Sequence, residues 1–365
     1  MSFFVPILVL ARRTKVSPLP GSGTSKSEGG EKREPLMESI RSNAPLARHC
    51  RLFFLSTPTS SSLVLPSLNP PPPSPVFSKL AEAGIEVRAH DCLGHGTSVS
   101  NEAERGLVPR YSFLVDDLRL SAARAAEERP GVPLFLGGHS MGGLIATLVA
   151  LGGGEGENSP PPSSSTTAAA ATATGAAAAA AGAAAAASGP PPALPRLSGL
   201  LLSSPALDIE WTPVLRAQAP IGGLLSLLVP RARVVSAVDP RHLCRDAAVV
   251  AAYRADPLNF VGNVRARTAN ELLRGFRAAA PLAARLSVPA LVVFGDADRI
   301  ASLPAARRFV EAAAKGPAGA DARLVVFPGA FHELFHGPDK DEVVRVVREW
   351  IGKHGGGGGG EKAKM

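Results

Sequence analysis

The chain has 365 residues, of which 45% are hydrophobic, so it can bury a sizeable core and is not a disordered polymer. Its net charge of +8 would tolerate an anionic partner, but the basic residues are scattered, without an aromatic-interleaved stripe or zinc-finger spacing, so no nucleic acid is expected as a partner. The three cysteines, Cys50, Cys92 and Cys244, lie far apart in the sequence, so we expect neither a disulfide framework nor a cysteine metal cluster.

The first 50 residues predict an irregular leader. Their apolar stretch, residues 3–11, is shorter than the roughly 20 residues that a bilayer span needs, and no obvious small-residue cleavage site follows it. Four glutamates between residues 28 and 38 argue against an organelle transit peptide. We therefore expect a cytoplasmic or peripheral-membrane protein, with organelle targeting by residues 1–50 left open.

From residue 51 onward, short aliphatic runs alternate with helical patterns, which is typical of a parallel α/β sheet. The weakest of the expected strands lies near residues 52–65. The clearer patterns predict strands at 85–91, 133–137, 197–203, 290–295 and 323–327, and helices at 144–151, 304–314 and 339–353.

The alternation is interrupted twice. Residues 152–196 form a low-complexity insert rich in alanine and proline, and residues 205–285 have the broken helical patterns of a cap or lid. The core is thereby divided into an N-terminal half at 51–204 and a C-terminal half at 286–354, before a flexible tail at 355–365. The predicted fold class is α/β, a mostly parallel sheet with helices on both faces and an inserted helical cap.

The pentapeptide Gly-His-Ser-Met-Gly at 138–142 follows a predicted strand and precedes a predicted helix. In that context a G-x-S-x-G motif places Ser140 on a sharp strand-to-helix turn, where the glycines avoid clashes. The helix N-terminus offers free N–H groups to a developing oxyanion, and the backbone N–H of Met141 is the expected donor. We therefore expect Ser140 to be a catalytic nucleophile; an ordinary glycine-rich turn is the alternative.

A serine nucleophile needs a base that is oriented by an acid. When these groups occur in the chain order Ser, Asp, His, the acid and the base each follow a strand of the sheet. Asp298 closes the predicted strand at 290–295, and His332 closes the one at 323–327. We therefore expect Asp298 and His332 to complete a triad with Ser140.

Both roles have competitors. Asp296, two residues before Asp298, is the near alternative for the acid, and Asp208 is a remote one. Asp296 would otherwise be a loop carboxylate that caps nearby N–H groups. For the base, the other downstream histidines are His336, expected on the surface, and His354, expected in the tail.

With these residues in place, the sequence resembles the monoacylglycerol lipase-like α/β-hydrolases, especially their plant and algal members in the lysophospholipase and caffeoylshikimate esterase-like group. The resemblance implies an α/β-hydrolase fold, the triad of Ser140, Asp298 and His332, and chemistry that needs no metal or organic cofactor. The segments that carry it include DCLGHGTS at 91–98, LVDDL at 114–118, GHSMGG at 138–143 and GLLLSSPA at 199–206.

The sequence departs from the family pattern at the oxyanion hole. The family carries a His-Gly pair after an earlier strand, and the N–H just beyond it is one oxyanion donor. Residues 51–77 contain no His-Gly, and the prolines at 70–73 have no N–H to donate. We therefore expect the second donor to be missing, a loss that typically costs about 100- to 1,000-fold in rate. A replaced exon and a degenerate family member are the two explanations.

By resemblance, the expected function is hydrolysis of lipid acyl esters, foremost of monoacylglycerol to glycerol and fatty acid. The alternatives are a lysophospholipase, a phenolic-ester esterase or acyltransferase, and a catalytically silent scaffold, which the missing donor favours. The apolar cap segment at 220–229 either packs on the core or contacts a lipid surface. In the second case we expect Leu224, Leu225 and Leu228 to make the contact.

Overall fold

The computed structural model describes residues 6–11, 52–54, 75–99, 101–152, 193–236, 238–316 and 321–355. Most of the predicted insert and tail lies outside these residues. The strands are β1 (Pro6–Ala11), β2 (Leu52–Phe54), β3 (Ile85–His90), β4 (Leu134–His139), β5 (Gly199–Ser203), β6 (Arg233–Val235), β7 (Val264–Arg265), β8 (Ala290–Gly295) and β9 (Ala322–Phe327). The α-helices are α1 (Pro75–Glu82), α2 (Tyr111–Glu128), α3 (Met141–Ala150), α4 (Pro213–Gln218), α5 (Gly222–Leu228), α6 (Ala247–Ala255), α7 (Ala266–Ala279), α8 (Leu303–Ala314) and α9 (Lys340–His354).

The main sheet has seven strands in the order β2-β3-β1-β4-β5-β8-β9. Strands β4, β5, β8 and β9 pair in parallel, so their carboxyl ends meet at one edge of the sheet. Each parallel connection returns through helices, as parallel pairing requires. The predicted α/β class is confirmed, and the five clearer strand predictions each match a strand of this sheet.

Strand β1 corrects the prediction of an irregular leader over residues 1–50. It lies between β3 and β4 and runs antiparallel to both. The sequence of β1, Pro-Ile-Leu-Val-Leu-Ala, is a short continuous apolar run of the kind that suits a central strand. This run is too short to span a membrane, but its six residues are enough for a strand of the sheet.

Apolar side chains cover both faces of the parallel strands. Along β5, Leu200 and Leu202 pack on the face that carries α2, α3 and α8, whereas Leu201 packs on the opposite face, with α1 and α9. This alternation follows from the two-residue period of a strand. At Gly199 a Cβ would lie only 2.5 Å from the ring of Trp350, so a glycine lets α9 approach the sheet.

The segment between β5 and β8 contains α4 to α7 and a small two-stranded sheet, β6–β7. Its last helix, α7, is fastened to the core by a buried carboxylate: Glu271 accepts the N–H of Tyr111 at 3.2 Å and pairs with Arg274 at 3.1 Å. A separate cap domain stays a prediction. Over the described part of the chain, every helix is too short or too polar to cross a membrane.

Candidate active site

Ser140 lies on a strained turn between β4 and α3. Its backbone has φ 53° and ψ −119°, outside the regions that a serine ordinarily adopts. The neighbouring glycines make this turn possible, since a Cβ at Gly138 would lie 2.2 Å from the carbonyl oxygen of Gly142. A Cβ at Gly143 would likewise lie 2.8 Å from Pro205. The predicted strand-turn-helix context of Ser140 is present.

Backbone hydrogen bonds fix the turn to the next strand. The N–H of Ser140 donates to the carbonyl of Ser203 at 3.0 Å, and the carbonyl of Ser140 accepts the N–H of Ala206 at 2.9 Å. Met141 is the first residue of α3, so its N–H is among those that a helix cannot bond internally. The turn therefore holds the serine at a helix N-terminus, where the helix dipole favours negative charge.

Asp298 and His332 form a buried pair at the same edge of the sheet. The Nδ1 of His332 lies 2.7 Å from the Oδ2 of Asp298, and both side chains are at most 1% exposed. The other oxygen of Asp298 accepts the N–H groups of Ile300 at 2.7 Å and Ala301 at 3.1 Å. The carboxylate is thus fixed by its own loop before it orients the imidazole.

The electrostatics of this pair favour a basic imidazole. Burial by itself would lower the pKa of His332, but the charge and hydrogen bond of Asp298, with the charge of Glu333, raise it above its ordinary value of 6.5. With Nδ1 committed to Asp298, Nε2 is the nitrogen left for proton transfer. That Nε2 is buried and has no hydrogen-bond partner among the described residues.

The competing aspartates are engaged elsewhere. Asp296 is exposed and accepts the N–H of Gly329 at 2.6 Å, so it caps a loop. Asp208 accepts the N–H of Ile209 and the indole N–H of Trp211, each at 2.9 Å.

The competing histidines also have other partners. His336 pairs with Glu333 at 3.1 Å, and His354 lies 2.9 Å from the carbonyl of Trp350 and 3.2 Å from Asp321. His332 is therefore the histidine that the structure brings to Asp298.

Ser204 contacts the backbone of His332 and was not singled out from the sequence. It is fully buried, has φ 41°, and donates its hydroxyl to the carbonyl of His332 at 2.8 Å. A left-handed serine is uncommon, so its position points to a constraint rather than to a free turn. The GLLLSSPA motif was visible in the sequence, but nothing in it showed which of its two serines would reach the loop of His332.

The DCLGHGTS loop is a tightly hydrogen-bonded turn. Asp91 accepts both the N–H and the hydroxyl of Thr97 at 2.8 Å. Gly96 has φ 56°, and a Cβ there would lie within 2.4 Å of the Asp91 carboxyl group. These contacts explain why the motif needs an aspartate, a glycine and a hydroxyl residue at this spacing.

An apolar cavity lies between α4, α5 and α7. Its volume is about 60 Å³, and it is partly open to solvent. Its walls include Trp211, Leu215, Leu225, Leu273 and Phe276. Leu225, one of the three leucines expected at a lipid surface, therefore faces a cavity, while Leu224 and Leu228 are exposed at 57% and 67%.

On the other side of Ser140, the strand beside β4 is β1. Pro6 pairs with Gly138 at the carboxyl edge, and Ala11 pairs with Ile85 at the amino end of β3. The carboxyl end of β1 thus lies at the far edge of the sheet from Ser140. Pro6 itself has no N–H. The missing second oxyanion donor remains a prediction, since residues 55–74 lie outside the described part of the chain.

Residues 74–159 and 160–339 match the family described as serine aminopeptidase, S33. The chain is also 31% identical over 282 residues to the monoacylglycerol lipase of Mycolicibacterium smegmatis, covering 76% of this chain and 82% of that protein. The chain belongs to the monoacylglycerol lipase-like α/β-hydrolases. As a member it is a carboxylic ester hydrolase; the narrower likeness to plant and algal members stays a prediction.

Two solved structures support the α/β-hydrolase fold. One is the monoacylglycerol lipase of Paleococcus ferrophilus, with a TM-score of 0.54 and 24% identity over 76% of this chain and 88% of that one. The other is a soluble variant of the monoglyceride lipase of Saccharomyces cerevisiae, with a TM-score of 0.57 and 21% identity over 77% and 81% of the two chains. The hydrolase shares its overall architecture with both.

Proposed function

We propose that this hydrolase cleaves monoacylglycerols to glycerol and a free fatty acid, with Ser140 as nucleophile, His332 as general base and Asp298 as the group that orients His332. The observation that carries the proposal is the buried Asp298–His332 pair at 2.7 Å, at the sheet edge where Ser140 occupies a strained turn. The similarity to named monoacylglycerol lipases supports the choice of substrate.

In the first half of the reaction, His332 takes the proton of the Ser140 hydroxyl as its oxygen attacks the ester carbonyl. The N–H of Met141 donates to the oxyanion that forms. When the tetrahedral intermediate collapses, the ester C–O bond breaks and protonated His332 gives its proton to the departing glycerol oxygen. The fatty acyl group is then bonded to Ser140.

In the second half, water replaces glycerol. His332 removes a proton from the water as its oxygen attacks the acyl carbonyl, and the bond to Ser140 breaks. The fatty acid leaves and Ser140 recovers its proton from His332. Throughout, Asp298 holds Nδ1 protonated and stabilises the imidazolium that forms twice per turnover.

A substrate panel tests the proposed reaction. The purified full chain is given monoacylglycerol, lysophospholipid and a phenolic ester, and product is measured against the Ser140→Ala variant. We expect the highest kcat/KM on monoacylglycerol and none above background in the variant. A higher kcat/KM on lysophospholipid or on the phenolic ester would make that compound the substrate instead. If the unmodified chain and Ser140→Ala both give only background product, the result would support a silent scaffold.

We propose further that α5 contacts the lipid surface that delivers the substrate. Ile221, Leu224, Leu227 and Leu228 are all at least half exposed, an unusual concentration for one short segment. Arg231 follows them with its side chain 57% exposed; it pairs with the exposed Glu104 at 3.2 Å and would be available to anionic headgroups at the same surface. The small apolar cavity beneath the same helix has a lining that suits a few methylene groups of an acyl chain.

The Leu227→Ser variant tests the surface contact. We expect it to lower activity on monoacylglycerol in phosphatidylcholine vesicles severalfold while leaving a soluble short-chain ester unaffected. Leu258→Ser, an exposed leucine outside α5, is the matched control and should behave as the unmodified chain. Equal loss on both substrates would argue against the contact.

A further inference from the structure

Glu333 is a buried carboxylate that the proposed mechanism does not use. It follows His332 directly, and its side chain is only 3% exposed. An ionised carboxylate in such a place is costly unless charged or hydrogen-bonding partners surround it. The structure supplies one such partner in His336 and places a second imidazole, that of His139, beside the carboxylate.

The two carboxylate oxygens of Glu333 each face an imidazole. Oε2 lies 3.3 Å from the Nε2 of His139, and Oε1 lies 3.1 Å from the Nδ1 of His336. The backbone N–H of Glu333 donates to the carbonyl of Leu243 at 2.7 Å, which fixes the residue to the segment that precedes α6. Glu333 is therefore held at its backbone and at Oε1, while Oε2 lies close to the imidazole of His139.

His139 connects this carboxylate to the proposed base. Its ring packs against the ring of His332, with centroids 4.7 Å apart and planes inclined at 54°. The Nδ1 of His139 lies 3.3 Å from the hydroxyl of Ser203. One edge of the His139 ring therefore faces Ser203 and the other faces Glu333, although the buried Nε2 makes no hydrogen bond among the described residues.

The groups around Glu333 set the charges. Burial would raise the pKa of Glu333, but the charge of His139 and the hydrogen bond with His336 lower it to about 2. Burial lowers the pKa of His139 to about 4, against the opposing charge of Glu333. Burial also raises the pKa of the nearby Cys244 thiol. At neutral pH the cluster is thus a carboxylate beside an uncharged His139 and an uncharged thiol, with His336 at its outer side.

We propose that Glu333 is a positioning residue of the proposed triad, whose buried carboxylate lies beside the His139 ring that contacts His332 and favours the imidazolium that His332 becomes during acyl transfer. This inference rests on the proposed function of His332. It gives the hydrolase two buried carboxylates around one imidazole: Asp298 acts on the ring edge by a hydrogen bond, and Glu333 acts through space and through the tilted His139 ring that contacts His332.

The isosteric variant Glu333→Gln removes the charge and keeps the shape. We expect kcat on monoacylglycerol to fall about tenfold and the acid limb of the kcat/KM profile to move to lower pH by about one pH unit, since an opposite charge no longer favours protonated His332. Glu271→Gln is the matched control, because it removes an equally buried carboxylate at the contact of α7 with α2. It should lower the melting temperature without moving the acid limb.

A second variant keeps the test decisive if Glu333→Gln does not fold. His336→Gln replaces a partly exposed imidazole and leaves Glu333 with one imidazole partner instead of two. We expect the acid limb to move the opposite way, to higher pH, because the carboxylate then acts more strongly on His332. An acid limb that stays in place in every folded variant of Glu333 and His336 would overturn the inference and leave Glu333 a structural residue.

Failure of the proposed function gives a different result. If the unmodified chain neither reacts with a fluorophosphonate probe nor turns over any ester, the triad assignment itself fails. If the unmodified chain reacts and turns over, but Glu333→Gln keeps its acid limb, only the role of Glu333 fails.

Discussion

The two sides of strand β4 are built differently. Toward β5, β8 and β9 the strands are parallel, and their carboxyl ends carry Asp298 and His332 to the edge where Ser140 lies. Toward β1, β3 and β2 the pairing is antiparallel, and the strand next to β4 begins with Pro6 at that edge. One side presents a base and its acid; the other presents a residue without an N–H.

This difference separates two requirements of acyl transfer. Activation of the serine depends on the parallel side, where Asp298 is hydrogen-bonded to the Nδ1 of His332 and to its own loop. Stabilisation of the oxyanion depends on backbone donors, of which the N–H of Met141 lies at the helix N-terminus, while the loss of the second donor stays a prediction. We therefore expect a reactive serine in a hydrolase whose turnover is lower than that of relatives with two donors.

We expect the largest loss of stability from deleting residues 1–11, because β1 pairs with both β3 and β4 inside the sheet. The deletion removes the backbone hydrogen bonds to both β3 and β4, each worth about 1 kcal/mol net, and opens two strand edges. Because a whole domain is stable by only about 5–15 kcal/mol, we expect little folded protein by circular dichroism and size-exclusion chromatography. Deleting residues 356–365, beyond α9, is the control. If the truncated chain melts at the same temperature as the full chain, β1 does not belong to the sheet.

Asp298→Asn tests the parallel side next. The amide cannot hold the Nδ1 proton of His332 or stabilise the imidazolium, so we expect kcat to fall about 10⁴-fold. The matched control is Asp296→Asn, two residues away, which alters only an exposed loop cap and should stay within about threefold of the unmodified chain. Comparable losses in the two variants would show that the wrong aspartate has been assigned.

Ser204→Ala should have a smaller effect on the same loop. Loss of its hydroxyl leaves the buried carbonyl of His332 without that donor, which we expect to cost about 1–3 kcal/mol of unfolding free energy and to lower kcat about tenfold. Thr147→Ala, which removes a buried hydroxyl bonded to Gly143 within α3, provides the comparison. Chemical denaturation measures the loss of unfolding free energy, and steady-state kinetics measures the loss of kcat. If the two variants lose kcat equally, Ser204 has no special role.

The smallest effect is a shift in pH dependence. His332 acts as a base only when it is neutral, and Asp298 and Glu333 raise its pKa above 6.5. Activity should therefore be full above that raised pKa and disappear as the pH falls through it, so the acid limb of kcat/KM should lie above pH 6.5. A limb clearly below pH 6.5 would mean that burial outweighs the two carboxylates.

Much of the catalytic edge could be predicted from the sequence, because motif and strand pattern agree there. Ser140, Asp298 and His332 each follow an apolar run, and parallel strands place such positions together. Strand β1 was missed since its six residues carry no periodicity that distinguishes a strand from a leader, and antiparallel insertion into a distant sheet leaves no local signal.

Other features depend on contacts between distant segments. His139 lies inside the nucleophile motif and Glu333 beside the proposed base, yet only the folded chain brings them 3.3 Å apart. Leu225 likewise could not be separated from Leu224 by composition; the direction of each side chain on α5 places one in the cavity and the other outside. The sequence shows which residues are unusual, while packing decides which of them meet.

The most direct measurement is labelling of the purified chain with a fluorophosphonate probe, followed by mass spectrometry of the modified peptide. We predict covalent modification at Ser140, absent in Ser140→Ala and unchanged in Ser302→Ala, which loses only the N-cap of α8. No labelling of a chain that circular dichroism shows to be folded would contradict an activated serine at the edge of β4.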